Sequence, residues 1–391
     1  MRAKLVILVT LFIADSILTS YSVLGVPLRL YIALMTIFVA LIGFKKKETV
    51  NLKFFYHYLL IVFVFISSYL LSDIKMITYI SRNISIIAIA VLMSKVVDLE
   101  TLEKFFKVVL IFGIVNCIFT ILQALQVDVV WKLISYWRPS LQYLGGGFYS
   151  YGGEGVNIYP PGLADLSVRN GYYIAMTFPL VYFLRKRKLL FFSSLVLFFV
   201  AAFVVQQRSC FYLMCIITFV MTYRLITKVS SRVFFGFIFG IVILSYTLVE
   251  LTLSETRLTQ TSDPERLRSL MNTKRLFYEN TFTGGFKRYI SYFGTDNSYL
   301  PHNDLLNAFI FAGVIGFILL ILFYGRLVKF LYRNVKSNDP IIFAVSLGIF
   351  GFIGSSMFHN LGFTLGSYQI WWLILPLTTY IFYQKQRIQT L

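Results

Sequence analysis

Apolar stretches close to the length of a bilayer-crossing helix recur from one end of this chain to the other. A crossing helix takes about 20 residues, and within hydrocarbon it must satisfy its own backbone N–H and C=O groups. Such runs lie near residues 4–26, 28–43, 54–71, 77–94, 107–126, 170–184, 189–207, 209–223, 233–252, 303–324, 341–358 and 367–384. Only 14% of the 391 residues are charged, against about 25% in soluble domains. The pattern predicts an all-α polytopic membrane protein of about twelve transmembrane helices, forming a single membrane domain over residues 1–391.

The charges that remain are placed, not scattered. The chain has a formal net charge of +19, a value that on its own would also suit nucleic-acid binding. However, most Lys and Arg fall in alternate short connections: Arg2 and Lys4, Lys45 to Lys47 and Lys53, Lys95, Lys104 and Lys107, Arg185 to Lys188, Arg224, Lys228 and Arg232, Arg326, Lys329, Arg333 and Lys336, and Lys385 with Arg387. Short loops rich in these residues stay in the cytoplasm. Both termini are therefore expected there, and nucleic acid is not an expected partner. The first run follows Lys4 with no small-residue cleavage site before the second, so it reads as an uncleaved helix. Cys117, Cys210 and Cys215 all fall in apolar runs, with no metal-ligand spacing, and read as packing residues.

Two connections are long, 127–169 and 253–302, and both fall on the side opposite the basic loops. The first interleaves Trp131, Trp137, Tyr143, Tyr149, Tyr151 and Tyr159 with glycines, a composition suited to an ordered loop at the membrane surface. The second holds a short amphipathic helix. Asp263 is a good N-cap, Pro264 suits the first helical position, and Leu267, Leu270, Met271 and Phe277 share one face. Arg266, Arg268, Lys274 and Arg275 lie on or beside the other face, and Gly284 with Gly285 ends the element.

With the basic loops set aside, a small group of polar residues shares the opposite side. Arg169 enters the sixth run, Arg208 opens the eighth, Arg266 and Arg268 lie in the second long loop, and His302 closes that loop. Guanidinium groups match phosphate oxygens two at a time, and a histidine can take a proton from an attacking hydroxyl. Snorkelling explains arginines at helix ends equally well. Asp15, Arg82 and Asn116 lie within apolar runs with no evident role, and His359-Asn360 reads as helix-packing polarity.

The spacing His302-Asn303, nine residues, then Gly313 and Gly316 resembles the histidine motif of the O-antigen ligase and O-antigen polymerase superfamily. Val205-Gln206-Gln207-Arg208-Ser209, which opens a run, is similar to that family's Thr/Ser-x-Arg-Ser/Ala segment. Arg266-Leu267-Arg268 with Thr281 to Phe286 resembles the stretch that precedes the histidine motif. The likeness covers roughly residues 160–325. It implies a metal-independent, inverting glycosyltransferase with no cofactor, whose donor is a glycan on undecaprenyl diphosphate at the periplasmic face of the bacterial inner membrane. It further implies that Arg208, Arg266 and Arg268 hold the diphosphate with help from Arg169. His302 would orient or deprotonate the acceptor hydroxyl beside Asn303, and Gly313 and Gly316 would let another helix approach closely. The acceptor would be a second lipid-linked repeat unit in a polymerase, or lipid A-core in a ligase. Membrane lipids and a chain-length regulator are further partners that this reading admits. Phe317 and Leu320 stand where ligases often carry Thr and Phe, and Tyr212 where a leucine is expected, which favours the polymerase. A transporter of lipid-linked sugar is the contrasting reading. It would place its charges and broken helices near the midplane, often with internal repeats, whereas here they lie at one rim.

Overall fold

The computed structural model describes residues 2–18, 22–23, 26–43, 76–95, 98–137, 143–144, 148–149, 160–164, 167–205, 207–225, 264–293, 300–301, 303–357, 363 and 368–389. Among these the chain is overwhelmingly helical. The first half contains α1 (Arg2–Ile17), α2 (Leu28–Gly43), α3 (Met76–Lys95), α4 (Leu99–Ala124) and α5 (Asp128–Trp137). Then come α6 (Ser167–Thr177), continued by a 3-10 helix (Phe178–Leu184), α7 (Lys188–Val205) and α8 (Arg208–Leu225). The last part holds α9 (Pro264–Glu279), α10 (Phe286–Ser291), α11 (Asp304–Val335), α12 (Pro340–Ser356) and α13 (Trp371–Gln389). Two minimal antiparallel pairs, Ser22–Val23 with Val26–Pro27 and Tyr143–Leu144 with Phe148–Tyr149, are the strands among the described residues.

Ten of the apolar runs coincide with described helices, and the runs 54–71 and 233–252 lie outside the described residues. Helices α4, α7 and α11 are each long and apolar enough to cross a membrane. The bounds differ where local chemistry overrides hydropathy. The first run stops being helical at Ile17, and Pro27 stands at the entry to α2. Helix α4 starts at Leu99, before its apolar run, because the Asp98 carboxylate accepts the Thr101 N–H at 2.9 Å. The sixth run tightens to 3-10 geometry at Phe178–Pro179, since proline removes one helical donor and crowds the preceding turn.

Helix α12 is the hub. It packs on α6, the 3-10 segment, α8, α11 and α13. Gly348 and Gly351 let the α6 backbone press against it: a Cβ there would fall 2.3 Å from the Met176 carbonyl oxygen or 2.7 Å from that of Ala175. A second knot of aromatic rings joins α1, α4 and α13, with Phe12 5.6 Å from Phe105 and 5.7 Å from Trp372. The Trp372 indole donates to the Asp15 carboxylate at 2.8 Å, which explains the buried aspartate of the first run.

The two ends of the bundle differ. At one end the Arg224 guanidinium donates to the carbonyls of Val335 and Ser337, the Tyr380 hydroxyl donates to Asp339 at 3.0 Å, and Lys4 pairs with Asp98 at 3.5 Å. Among the described residues, Lys4, Arg224 and the connection after Arg333 meet at this end. Helices α6, α8 and α13 begin at the opposite end, where α1, α4 and α12 finish.

The 303–324 run is not one straight span. Ala312 and Gly313 leave helical geometry, with Gly313 at φ +62°, a conformation open to glycine. The Tyr324 hydroxyl nevertheless donates to the Asp304 carboxylate at 2.6 Å. In a straight helix those two residues would stand about 30 Å apart. The element is thus a hairpin, with a short arm over residues 304–311 folded back against a long arm over 314–335. Gly316 makes the contact possible, since a Cβ there would lie 2.9 Å from the Ala308 carbonyl oxygen.

Candidate functional site

The end of the bundle opposite the basic loops is organised from α4 outwards. Asn116, Thr120 and Gln123 recur at helical spacing and form a buried polar stripe. Gln123 clasps Gly162, accepting its N–H at 2.8 Å and donating to its carbonyl at 3.0 Å. Asn116 accepts the Leu163 N–H at 2.8 Å and donates to the Asn170 side chain at 2.7 Å. Asn170 in turn donates to Thr120 and to the Pro160 carbonyl, both at 2.9 Å. Six buried bonds therefore fix the 160–163 turn and the first turn of α6. Arg169 is the neighbour of the residue so held.

Arg169 lines a small cavity with Tyr172, Tyr173, Met176, Phe352, Gln369 and Ile370. Gln369 is buried, and its Nε2 has no hydrogen-bond partner among the described residues. A buried amide donor left unpaired costs about 1–3 kcal/mol, so an acceptor brought into this cavity is favoured. Gln207 is in the same condition at both amide atoms, and it lies against α6 so closely that a Cβ on Gly171 would overlap its Oε1 at 1.2 Å. That contact brings the start of α8, and with it the backbone of Arg208, beside the turn that carries Arg169. The Arg208 side chain lies outside the described residues.

The histidine segment reaches the same end. His302 itself is outside the described residues, as is His359, but both flanks of His302 are held. Pro301 is buried, and its carbonyl accepts from Asn307 at 3.2 Å. Asn303 caps α11, its Oδ1 accepting the N–H groups of Leu305 and Leu306 at 3.0 and 3.1 Å, while its Nδ2 donates to the Met357 carbonyl at 3.2 Å. The fully buried Asp304 carboxylate accepts the Tyr324 hydroxyl and the Phe363 N–H at 2.6 and 2.8 Å. Tyr324 also meets the Ser356 hydroxyl at 3.0 Å. From there Phe363 packs on Phe352 at 5.3 Å, and Phe352 on Tyr172 at 5.3 Å. One run of contacts thus links the 301–304 segment to the Arg169 cavity around the end of α12.

Arg266 and Arg268 belong to a separate layer. The Arg266 side chain lies outside the described residues. The Arg268 guanidinium donates to the Phe293 carbonyl at 2.8 Å and sits 5.3 Å from that ring, tying α9 to α10. Glu279 accepts from Arg275 at 2.8 Å and Arg288 at 3.2 Å, and from the Tyr292 hydroxyl. The Tyr292 hydrogen bond first, then Arg275, holds its carboxyl below the usual carboxylate range. The layer docks on the α11 hinge through its backbone. The Gly285 N–H donates to the Ile310 carbonyl at 2.9 Å, and the Val314 N–H to that of Thr281 at 3.0 Å. A Cβ on Gly313 would lie 2.1 Å from the Phe282 carbonyl oxygen. The close neighbour at Gly313 is thus the 281–284 turn, and at Gly316 it is the short arm of the same hairpin.

Arg169, the start of α8 and the Asn303 cap therefore share one end of the bundle, while Arg268 stands in the separate α9 layer, bonded to Phe293. Tyr172, Gln207, Tyr324 and Gln369 belong to this end and were not legible as site residues. Asn116, Thr120 and Gln123 had a readable signal in their helical spacing, and Asp304 in its place beside the Asn303 cap. No protein-family model and no curated protein matches this chain.

Proposed function

We propose that this protein is a membrane glycosyltransferase that joins lipid-diphosphate-linked oligosaccharide repeat units into a longer polysaccharide. The observation that carries the reading is the convergence of Arg169, the opening of α8 at Arg208 and the Asn303-capped histidine segment at the end opposite the basic loops. In this reading that end faces the periplasm of a bacterial inner membrane, and the donor is a glycan on undecaprenyl diphosphate. Arg169 and Arg208 hold the diphosphate, aided by the helix N-termini of α6 and α8, where partial positive charge favours an anion. Arg266 and Arg268 complete the hold from the α9 layer. The buried donor of Gln369 supplies a further hydrogen bond to a phosphate oxygen. Neutralising the diphosphate lets it leave without a metal ion. His302 takes the proton of the acceptor hydroxyl as that oxygen attacks the anomeric carbon from the face opposite the leaving diphosphate, so the configuration inverts.

Reconstitution of the purified protein with lipid-diphosphate repeat units as both donor and acceptor tests the assignment. Growth of longer lipid-linked chains is the expected product. Transfer that starts only when lipid A-core is supplied would make the protein a ligase. No transfer with either acceptor would remove the transferase reading.

A further inference from the structure

We infer that the outward face of α9 is seated on the lipid bilayer, at the boundary between acyl chains and headgroups, where it anchors the hinge layer. The inference rests on the membrane fold and stands apart from the transferase reading. Helix α9 buries Ser269, Thr273 and Leu276, which recur at helical spacing against α10 and the short arm of α11. Its large apolar side chains point the other way. Leu267, Met271 and Tyr278 are 63%, 62% and 75% exposed, and Leu270, Phe277 and Phe282 are exposed beside them. A helix that turns its polar residues inward and its apolar ones outward lacks a cover for about half its circumference.

Two observations identify lipid as the occupant. The first is continuity. Ile315 and Ile318 on the long arm, just past the hinge, are exposed at 55% and 49%, so the uncovered apolar surface of the spanning arm runs up to Phe282 and onto α9. The second is charge. Lys274 stands within the exposed apolar face and not beside the opposite face as the sequence suggested, and Arg275 and Arg288 lie at its flank. Long cationic side chains beside an apolar face fit a lipid surface, where their heads reach the headgroups. With Glu265, Arg266, Arg268, Lys274, Arg275 and Glu279 in its 16 residues, α9 is too polar to cross.

Met271→Cys and Arg275→Cys variants, each reconstituted in vesicles of phosphatidylethanolamine and phosphatidylglycerol, test the placement. Native thiols interfere little, since Cys117 and Cys210 are buried and Cys215 lies within α8. A membrane-impermeant maleimide is expected to label position 271 at least about tenfold more slowly than position 275, and a fluorophore attached at 271 is expected to be quenched by spin-labelled lipid. Equal labelling with no quenching would overturn the inference. So would free labelling of 271 in vesicles together with protection in native membranes, which would identify a protein as the cover.

Discussion

Gln369 places a buried amide donor, without a partner among the described residues, in the wall of the Arg169 cavity, and this makes a sharp prediction at the level of one side chain. Gln369→Leu keeps the volume and removes the orphan donor, so stability is expected to rise by about 1 kcal/mol. Binding of a polyprenyl diphosphate is expected to weaken about tenfold, the worth of one hydrogen bond to a charged group. Thermal unfolding and ligand titration of the same preparation measure both. A fall in stability with unchanged binding would return Gln369 to a packing role. Asp304 makes the opposite case, because its carboxylate satisfies both the Tyr324 hydroxyl and the Phe363 N–H in a fully buried place. Asp304→Ala leaves those two donors unpaired and is expected to destabilise the protein by about 2–5 kcal/mol, seen as a lower unfolding temperature in detergent. An unchanged midpoint would mean that the bonds contribute nothing net.

The hairpin of α11 depends on its hinge. Gly313→Ala adds a Cβ where the Phe282 carbonyl oxygen stands and forces a side chain into left-handed backbone, so the 281–285 turn should come off the hinge. The expected result is fast hydrogen exchange across α9 and α10, with α12 and α4 still protected, because those helices make no use of the hinge bonds. Unchanged exchange in α9 would contradict the docking described for the turn. The charge cluster of the same layer predicts a pH dependence. The Glu279 carboxyl is depressed by Tyr292 and Arg275, so its contribution is present above its unfolded pKa and is lost as pH falls through its lower folded value. Exchange across α10 should therefore quicken in acid, below a pH of about 4. Because the cluster is exposed, the effect should shrink in high salt. A Glu279→Gln variant should exchange at the faster rate at neutral pH.

At the scale of the whole molecule, hydropathy carried the helical reading, because a helix that crosses lipid needs a long apolar run, and α4, α7 and α11 are each long and apolar enough to do so. What could not be read were places where polar side chains choose their own partners. Asn116 looked like an isolated amide in an apolar run, yet with Thr120 and Gln123 it holds the turn that sets Arg169. Hydropathy also carried the 303–324 run through Gly313 as one span, since a window average cannot see a single left-handed residue. Gln369 gave no signal at all, standing among the ordinary aromatic residues near a helix start. The arginines were readable as a group because they lay away from the basic loops, but the sequence did not separate Arg169, at the end of α12, from Arg268, which braces α9 against Phe293. All of these features converge on the segment that carries His302, and the central claim is that this segment performs sugar transfer. The most direct test measures chain growth from lipid-diphosphate repeat units by the purified wild-type protein and by His302→Ala, in chelator-treated proteoliposomes. The account predicts elongation by the wild type and none by the variant, with donor binding within about threefold of wild type. Elongation by His302→Ala at the wild-type rate would contradict it.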